Sequence, residues 1–364
     1  MGVTGDREMK LRLGKWAVGA LGLALLFGGS AFAQTVRKVV IAHGSQQVEI
    51  THPGLYLGVL LGFAQEEGIA LNVQPTQGSQ QALQLLAAGR ADFVQVSTET
   101  VINARDQGVK AKIVYSAVNH YNSQVAALAD GPIRDVKDLK GKQVGVFSLS
   151  SGGVPYLKAL VKEAGLDPEK DIAMVPTGAG APALQALNSG TVAALSLWAG
   201  AFAVFENQGA KLKVFTSRDL TTAPGHILAT TDEFIKQNPE IVAKVGRIYA
   251  KAAVFAMANP EVTVHAYWKA LPQNRPPEIN DKVVQEQKHI LEAGLRDMRV
   301  EDRHAKRWGW NDPSGLKVLQ DYLIANGARQ TRVPDADLFT NDFVAEYNKF
   351  DPERIRAQAA SYKP

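Results

Sequence analysis

Through the first two thirds of the chain, short apolar runs alternate with longer stretches in which apolar residues recur every three to four positions. The first pattern suits a buried strand and the second an amphipathic helix. Residues 38–42 (KVVIA) form such a run and give way to the polar loop His43-Gly44-Ser45-Gln46-Gln47. Residues 53–67 read as a helix stopped by Gly68, residues 69–73 as a strand, and residues 81–88 as a helix stopped by Gly89. Strands are expected at 91–96 and 112–116, with a helix at 101–107 between them. Strands separated by helices of this length imply parallel βαβ units.

The order then restarts. A strand at 144–147 runs into Ser148-Leu149-Ser150-Ser151-Gly152-Gly153 and a helix at 154–164. A strand at 172–175, a helix at 183–188 and a strand at 192–197, ending at Trp198, follow. One unit is present in both halves. VQPTQGSQQALQLLAAG (73–89) and MVPTGAGAPALQALNSG (174–190) align without a gap and share seven of seventeen positions. From about Thr231 the strand signals fade, and helices are expected at 233–238, 241–258, 284–293 and 314–326. The polar, turn-rich junctions 119–124 and 217–225 are then crossovers between two α/β lobes. Residues 34–118 are expected to open lobe one, and residues 119–224 to form lobe two with its crossovers. Residues 225–364 would complete lobe one and add a helical tail. Short crossovers of this kind permit hinge closure around a ligand.

In open α/β sheets, ligands sit beyond the carboxyl ends of the strands. The loops expected there are Ser45-Gln46-Gln47, Thr76-Gln77-Gly78-Ser79 and Ser97-Thr98 from the first half. The second half supplies Ser148 to Gly153, Thr177-Gly178-Ala179-Gly180 and Trp198. All are rich in hydroxyls, amides or glycine and lead into helix N-termini, which carry unpaired N–H groups and a partial positive charge. None contains arginine. A small monoanion held by neutral donors fits this chemistry better than a polyphosphate. Ser150 and Ser151 have a second reading, as caps of the helix that follows them.

Composition narrows the setting. Residues 1–33 follow a secretory pattern: Lys10, Arg12 and Lys15, an apolar run at 16–27, then Ala31 and Ala33 around Phe32. Cleavage after Ala33 is expected, because the run is shorter than the ~20 residues of a spanning helix. Met9 precedes the basic start directly, so Met1 and Met9 are both candidate initiators. The formal charge of +4 falls to +2 without this segment, and no basic run remains, which argues against nucleic acid as a partner. The absence of cysteine excludes disulfides, thiol chemistry and a lipid-modified cysteine. A soluble periplasmic protein is the resulting expectation.

Two segments carry a family resemblance: QGSQQALQLLAAGRADF (77–93) and LKGKQVGVFSLSSGGVPYLKALVKEAGLDPEKDI (139–172). They resemble the periplasmic solute-binding proteins of ABC importers, in the aliphatic sulfonate, taurine, nitrate and thiamine-pyrimidine (NMT1/THI5-like) group. The resemblance covers most of the chain to about residue 230. It implies a two-lobed, type II periplasmic-binding-protein clamp, each lobe a parallel-rich sheet flanked by helices, with a helical C-terminal tail. It also implies periplasmic location and delivery of a solute to a membrane permease and its ATPase. The expectation is a monomeric binding protein for a small organic anion, without cofactor or catalysis. Carried over loop by loop, the implied ligand contacts are Ser45, Gln46, Gln77, Gly78, Ser97, Thr98, Ser150, Ser151 and Trp198. His226, just beyond the second crossover, joins them. The first loop departs from the family pattern by a longer polar connection through Thr51 and His52, which weakens the transfer of a sulfonate identity.

Other readings compete. A pyrimidine or aromatic carboxylate would stack on Trp198 or Tyr121. A pyrimidine-precursor enzyme on a related fold uses a Cys-rich motif, which this chain lacks. A sensory clamp that presents itself to a membrane receptor would use the same fold. His43, His52, His120, His226 and His265 show no ligand spacing such as H-x-x-x-H, so no metal site is expected. Gly178-Ala179-Gly180 reads as a turn, Glu66-Glu67 as solvated surface, and Trp308 and Trp310 as packing of the tail.

Overall fold

The computed structural model describes residues 36–363 except 218, 219, 221 and 305. The secretory pattern and its cleavage point lie outside the described residues. The strands are β1 (Arg37–His43), β2 (Ile69–Pro75), β3 (Phe93–Ser97), β4 (Ala111–Val118), β5 (Ser123–Leu128), β6 (Lys142–Val146), β7 (Ile172–Pro176), β8 (Ala194–Trp198), β9 (Leu212–Phe215) and β10 (His226–Thr231). They form two five-stranded sheets, ordered β2-β1-β3-β10-β4 and β7-β6-β8-β5-β9. In each, three neighbouring strands are parallel and the fourth is antiparallel. The two sheets therefore share one topology.

The repeated sequence has a structural counterpart in each lobe. Pro75 ends β2 and Pro176 ends β7. The threonine after each proline ties its loop to the central strand. Thr76 donates its N–H (3.0 Å) and hydroxyl (2.7 Å) to the carbonyl of His43, the last residue of β1. Thr177 donates its N–H (2.8 Å) and hydroxyl (3.3 Å) to the carbonyl of Val146, the last residue of β6. Helices α3 (Ser79–Ala87) and α6 (Ala181–Asn188) then begin, taking their labels from the order α1 (Pro53–Leu60), α2 (Phe63–Glu66), α3, α4 (Thr98–Asp106), α5 (Gly153–Glu163), α6 and α7 (Ala199–Asn207). The single helix expected over 53–67 is two. Gly62 adopts φ 77°, a left-handed conformation that only glycine takes readily, and breaks the run into α1 and α2.

The first crossover is shorter than expected, and the second nearly matches the expected 217–225. The chain leaves β4 at Val118 and is already in β5 at Ser123; it returns from β9 at Phe215 to β10 at His226. Strands β5, β9 and β10 went unread in the sequence, and part of the expected junction 119–124 is strand. Strand β10 inserts antiparallel between β3 and β4, which sets His226 beside Ser97 and Val118.

The remaining chain is helical: α8 (Asp232–Gln237), α9 (Pro239–Ala258), α10 (Pro260–Ala270), α11 (Asp281–Met298), α12 (Pro313–Ala325), α13 (Asp335–Leu338), α14 (Val344–Tyr347) and α15 (Pro352–Ser361). Helix α9 packs on α1, α14 and α15, and its Val245, Ile248 and Tyr249 join Ile41 and Leu57 in the core of the first lobe. Trp308 and Trp310 pack against the same core. Glu66 is exposed as expected, but Glu67 is not solvated surface. Glu67 is buried and bonds to Arg247 (2.6 Å) and Lys251 (3.3 Å), and Lys251 also reaches Glu66 (2.8 Å). The tail also grips the second lobe. Helix α11 packs on α7, where Asn207 donates to the Glu286 carbonyl (2.8 Å), and α12 packs on both α4 and α5.

Candidate functional site

Helices α3, α4, α5 and α7 point their N-terminal ends at one place between the sheets. The residues just before them, Gly78, Ser97, Gly152 and Trp198, supply no side-chain cap. Uncapped helix starts present N–H groups and positive potential to whatever lies in front of them. The expectation that Ser150 or Ser151 caps α5 is therefore corrected. The hydroxyl of Ser150 donates instead to the Gln77 carbonyl (3.3 Å), as does that of Ser148 (3.0 Å). These bonds join loops of opposite lobes, so the structure is a closed clamp.

Closure brings backbones into contact at two glycines. A Cβ on Gly152 would lie 1.6 Å from Ser97 Oγ. Gly78 has φ 156°, and a Cβ there would lie 2.8 Å from the Ser150 carbonyl oxygen. Neither position tolerates a side chain in the closed state.

Behind these contacts lies a cavity of roughly 60 Å³. The first lobe contributes His43, Ser45, Glu49, His52, Ser79, Ser97 and His226 to its wall. From the second lobe and crossover come Asn122, Ser123, Phe147, Ser151, Ser196 and Trp198. His43, Ser97 and Trp198 are the last residues of β1, β3 and β8, so the cavity sits at the carboxyl ends of the strands. Ser196 is buried, and among the described residues its hydroxyl has no hydrogen-bond partner. Trp198 meets Phe147 edge-on at 5.6 Å.

Of the ten residues expected to bind ligand, the cavity brings together Ser45, Ser97, Ser151, Trp198 and His226. Gln46, Gln77, Gly78, Thr98 and Ser150 stand off its wall. Gln46 bonds to the Gln77 side chain (2.5 Å), Thr98 is fully buried and donates its hydroxyl to the Gly225 carbonyl (3.2 Å), and the rest hold the closure contacts above. Tyr121 is packed on Tyr156 at 4.9 Å and does not line the cavity, so it offers no stacking platform there.

Sequence reasoning missed Glu49 and the grouping of histidines around it. His43 Nε2 lies 3.1 Å from Glu49 Oε2, and His52 Nδ1 lies 3.2 Å from the same oxygen. Ser45 donates its hydroxyl to Glu49 Oε1 (2.6 Å). The His52 ring stands 5.4 Å from that of His226. Burial opposes the charge on Glu49, yet hydrogen bonding to His43 and His52 and their charges hold its carboxyl well below the usual carboxylate range. Burial, with the neighbouring histidines, pushes His226 down to about 3; burial also lowers His52. Histidines that show no ligand spacing along the chain are thus grouped in space. The available signal was Glu-x-x-His at 49–52 together with a histidine closing the first strand.

Two lobes of matching strand order, joined by two crossovers and closed on a polar cavity, define the periplasmic-binding-protein class of fold. A family model described as NMT1/THI5 like matches residues 49–263, and the chain belongs to that family. The riboflavin-binding protein RibY of Chloroflexus aurantiacus is 23% identical over 252 residues, covering 69% of this chain and 70% of RibY. A solved structure from Bordetella bronchiseptica aligns with a TM-score of 0.71 at 19% identity, covering 87% of this chain and 98% of that one. The periplasmic aliphatic sulphonate binding protein SsuA of Escherichia coli aligns with a TM-score of 0.59 at 17% identity, covering 83% and 91%. The two structural likenesses show the fold, and both named relatives are binding proteins.

Proposed function

We propose that this protein is the extracytoplasmic substrate-binding component of an ABC importer, capturing a small anion by clamp closure and passing it to a membrane permease and its ATPase. The observation that carries the reading is the convergence of four uncapped helix N-termini from both lobes on one small polar cavity. Hydroxyls and helix dipoles attract an anion there, and Glu49, the carboxylate on the wall, is paired with His43 and His52. The free hydroxyl of Ser196 and that of Ser151 supply directed hydrogen bonds. The cavity of roughly 60 Å³ is small, which suits a compact solute such as nitrate or the head of an aliphatic sulfonate or taurine. Residues 34–118 and 225–364 serve in this scheme as the first lobe with its tail, and residues 119–224 as the second lobe.

A second reading rests on Trp198 and Phe147, whose rings form one wall. A pyrimidine or aromatic carboxylate would stack there, in a less tightly closed state with a wider cavity.

Thermal denaturation of residues 34–364 against alkanesulfonates, taurine, nitrate, pyrimidines and aromatic carboxylates separates the two. A ligand at about a thousand times its Kd adds roughly 4 kcal/mol, enough to raise the midpoint by several degrees. A hit among the anions, lost in Ser151→Ala with Ser196→Ala, supports the anion clamp. Hits confined to flat rings and lost in Trp198→Ala would replace it with the second reading.

A further inference from the structure

We infer that His43, Glu49 and His52 form a binding site for a divalent transition-metal ion, zinc by chemical preference, on the first-lobe face of the cleft. One ligand atom from each residue lies within 4.8 Å of the other two. The two histidine–carboxylate separations, 3.1 and 3.2 Å, match the ~3.3 Å between neighbouring ligands of a tetrahedral ion with bonds of 2.0–2.1 Å. The remaining pair, His43 and His52, lies within 4.8 Å.

Two imidazole nitrogens converge on one carboxylate oxygen, His43 Nε2 at 3.1 Å and His52 Nδ1 at 3.2 Å, with His43 fully buried. A buried carboxylate is stabilised by a paired positive charge, which a shared divalent ion supplies to all three groups. Two imidazoles and one carboxylate are the donor set of open, four-coordinate zinc sites, in which the last position faces solvent or ligand. Here that position faces the cavity, where the ring of His226 stands beside that of His52.

The arrangement also bears on charge. Glu49 is the carboxylate among the residues lining the cavity. A divalent ion on it turns the local charge positive, toward the second-lobe donors. All three ligands belong to the first lobe, so the ion is held before closure and needs no solute. His43 ends β1, His52 precedes α1, and the loop between them is tied at Ser45 to Glu49, so the site is anchored at both ends.

The test is calorimetric titration of the untagged, chelator-treated protein with ZnCl2, with MgCl2 as the hard-cation control, and absorption spectroscopy with CoCl2. The expected result is one zinc per chain, visible cobalt bands of a four-coordinate ion, and no magnesium binding. Glu49→Gln and His52→Ala should each weaken zinc by more than the ~100-fold that loss of an outer-shell partner costs. Far-UV circular dichroism of the metal-free variants guards against loss of fold, and His52→Gln provides a milder variant. No zinc binding by the wild type, or binding unchanged in folded variants, overturns the assignment. The titration contains no solute, so it fails or succeeds independently of the solute panel.

Discussion

Glu99 lies in the first turn of α4, fully buried, two residues beyond the cavity-lining Ser97. Burial raises its carboxyl to about 8, against weaker opposing hydrogen bonds, so it is largely a neutral acid at pH 7. A folded-state value above the unfolded one means its contribution is fully present below pH 4.5 and is lost as pH rises through 8. Glu99→Gln copies the neutral form. Its stability relative to wild type should therefore grow by about 2 kcal/mol between pH 6.5 and 8, at 1.36 kcal/mol per pH unit. Urea unfolding at both values reads this directly, and equal differences at the two pH values would remove the neutral-acid assignment. His226 has the opposite sign: its depressed value makes stability fall as pH drops from 6.5 toward 3. Comparison with wild type cancels that background. Neither shift was legible in the sequence, because both follow from burial by strands and helices distant along the chain.

Helices and parallel strands were the legible elements. Their apolar periods are set locally, and Gly68, Gly89, Gly165 and Gly190 each follow a helix and adopt positive φ. The antiparallel strands were not. Strand β9 is four residues long, and β5 and β10 begin inside polar, turn-rich stretches. Strands β5 and β10 each lie between two neighbours and β9 pairs with β5, so their stability comes from pairing rather than from their own pattern. At this scale closure can be blocked at one atom. The start of α5 meets the start of α4 where Gly152 faces Ser97. Gly152→Ala leaves each lobe intact but inserts a methyl into that contact. Overpacking of this kind costs about 1–3 kcal/mol, so the Kd of any identified solute should rise by roughly 10- to 100-fold. Calorimetry with that solute checks it, alongside an unchanged unfolding midpoint without solute. Unaltered affinity would mean that binding does not require the closed contact.

At the scale of the whole molecule, two crossovers lie side by side while α11 and α12 reach from the first lobe onto the second. The closed state adds the Ser148 and Ser150 bonds to Gln77. A solute that touches both lobes favours this state over an open one by its differential affinity. Small-angle scattering of residues 34–364 should therefore give a larger radius of gyration without solute than at saturation, where a compact chain of this length measures about 20 Å. An identical radius in both conditions would show that capture does not proceed by domain closure. The sequence by itself determined two α/β halves, the repeated βα unit in each, the helical tail and the polar loops at the strand ends. All of these rest on local periodicity, turn residues and caps. Tertiary structure decided which loops face the cavity and which hold the lobes shut, and it placed β10 between β3 and β4. It also gathered His43, Glu49, His52 and His226, of which the first three share one loop and the last arrives from more than 170 residues away. Contacts of that separation depend on chain topology and packing, which no local pattern encodes.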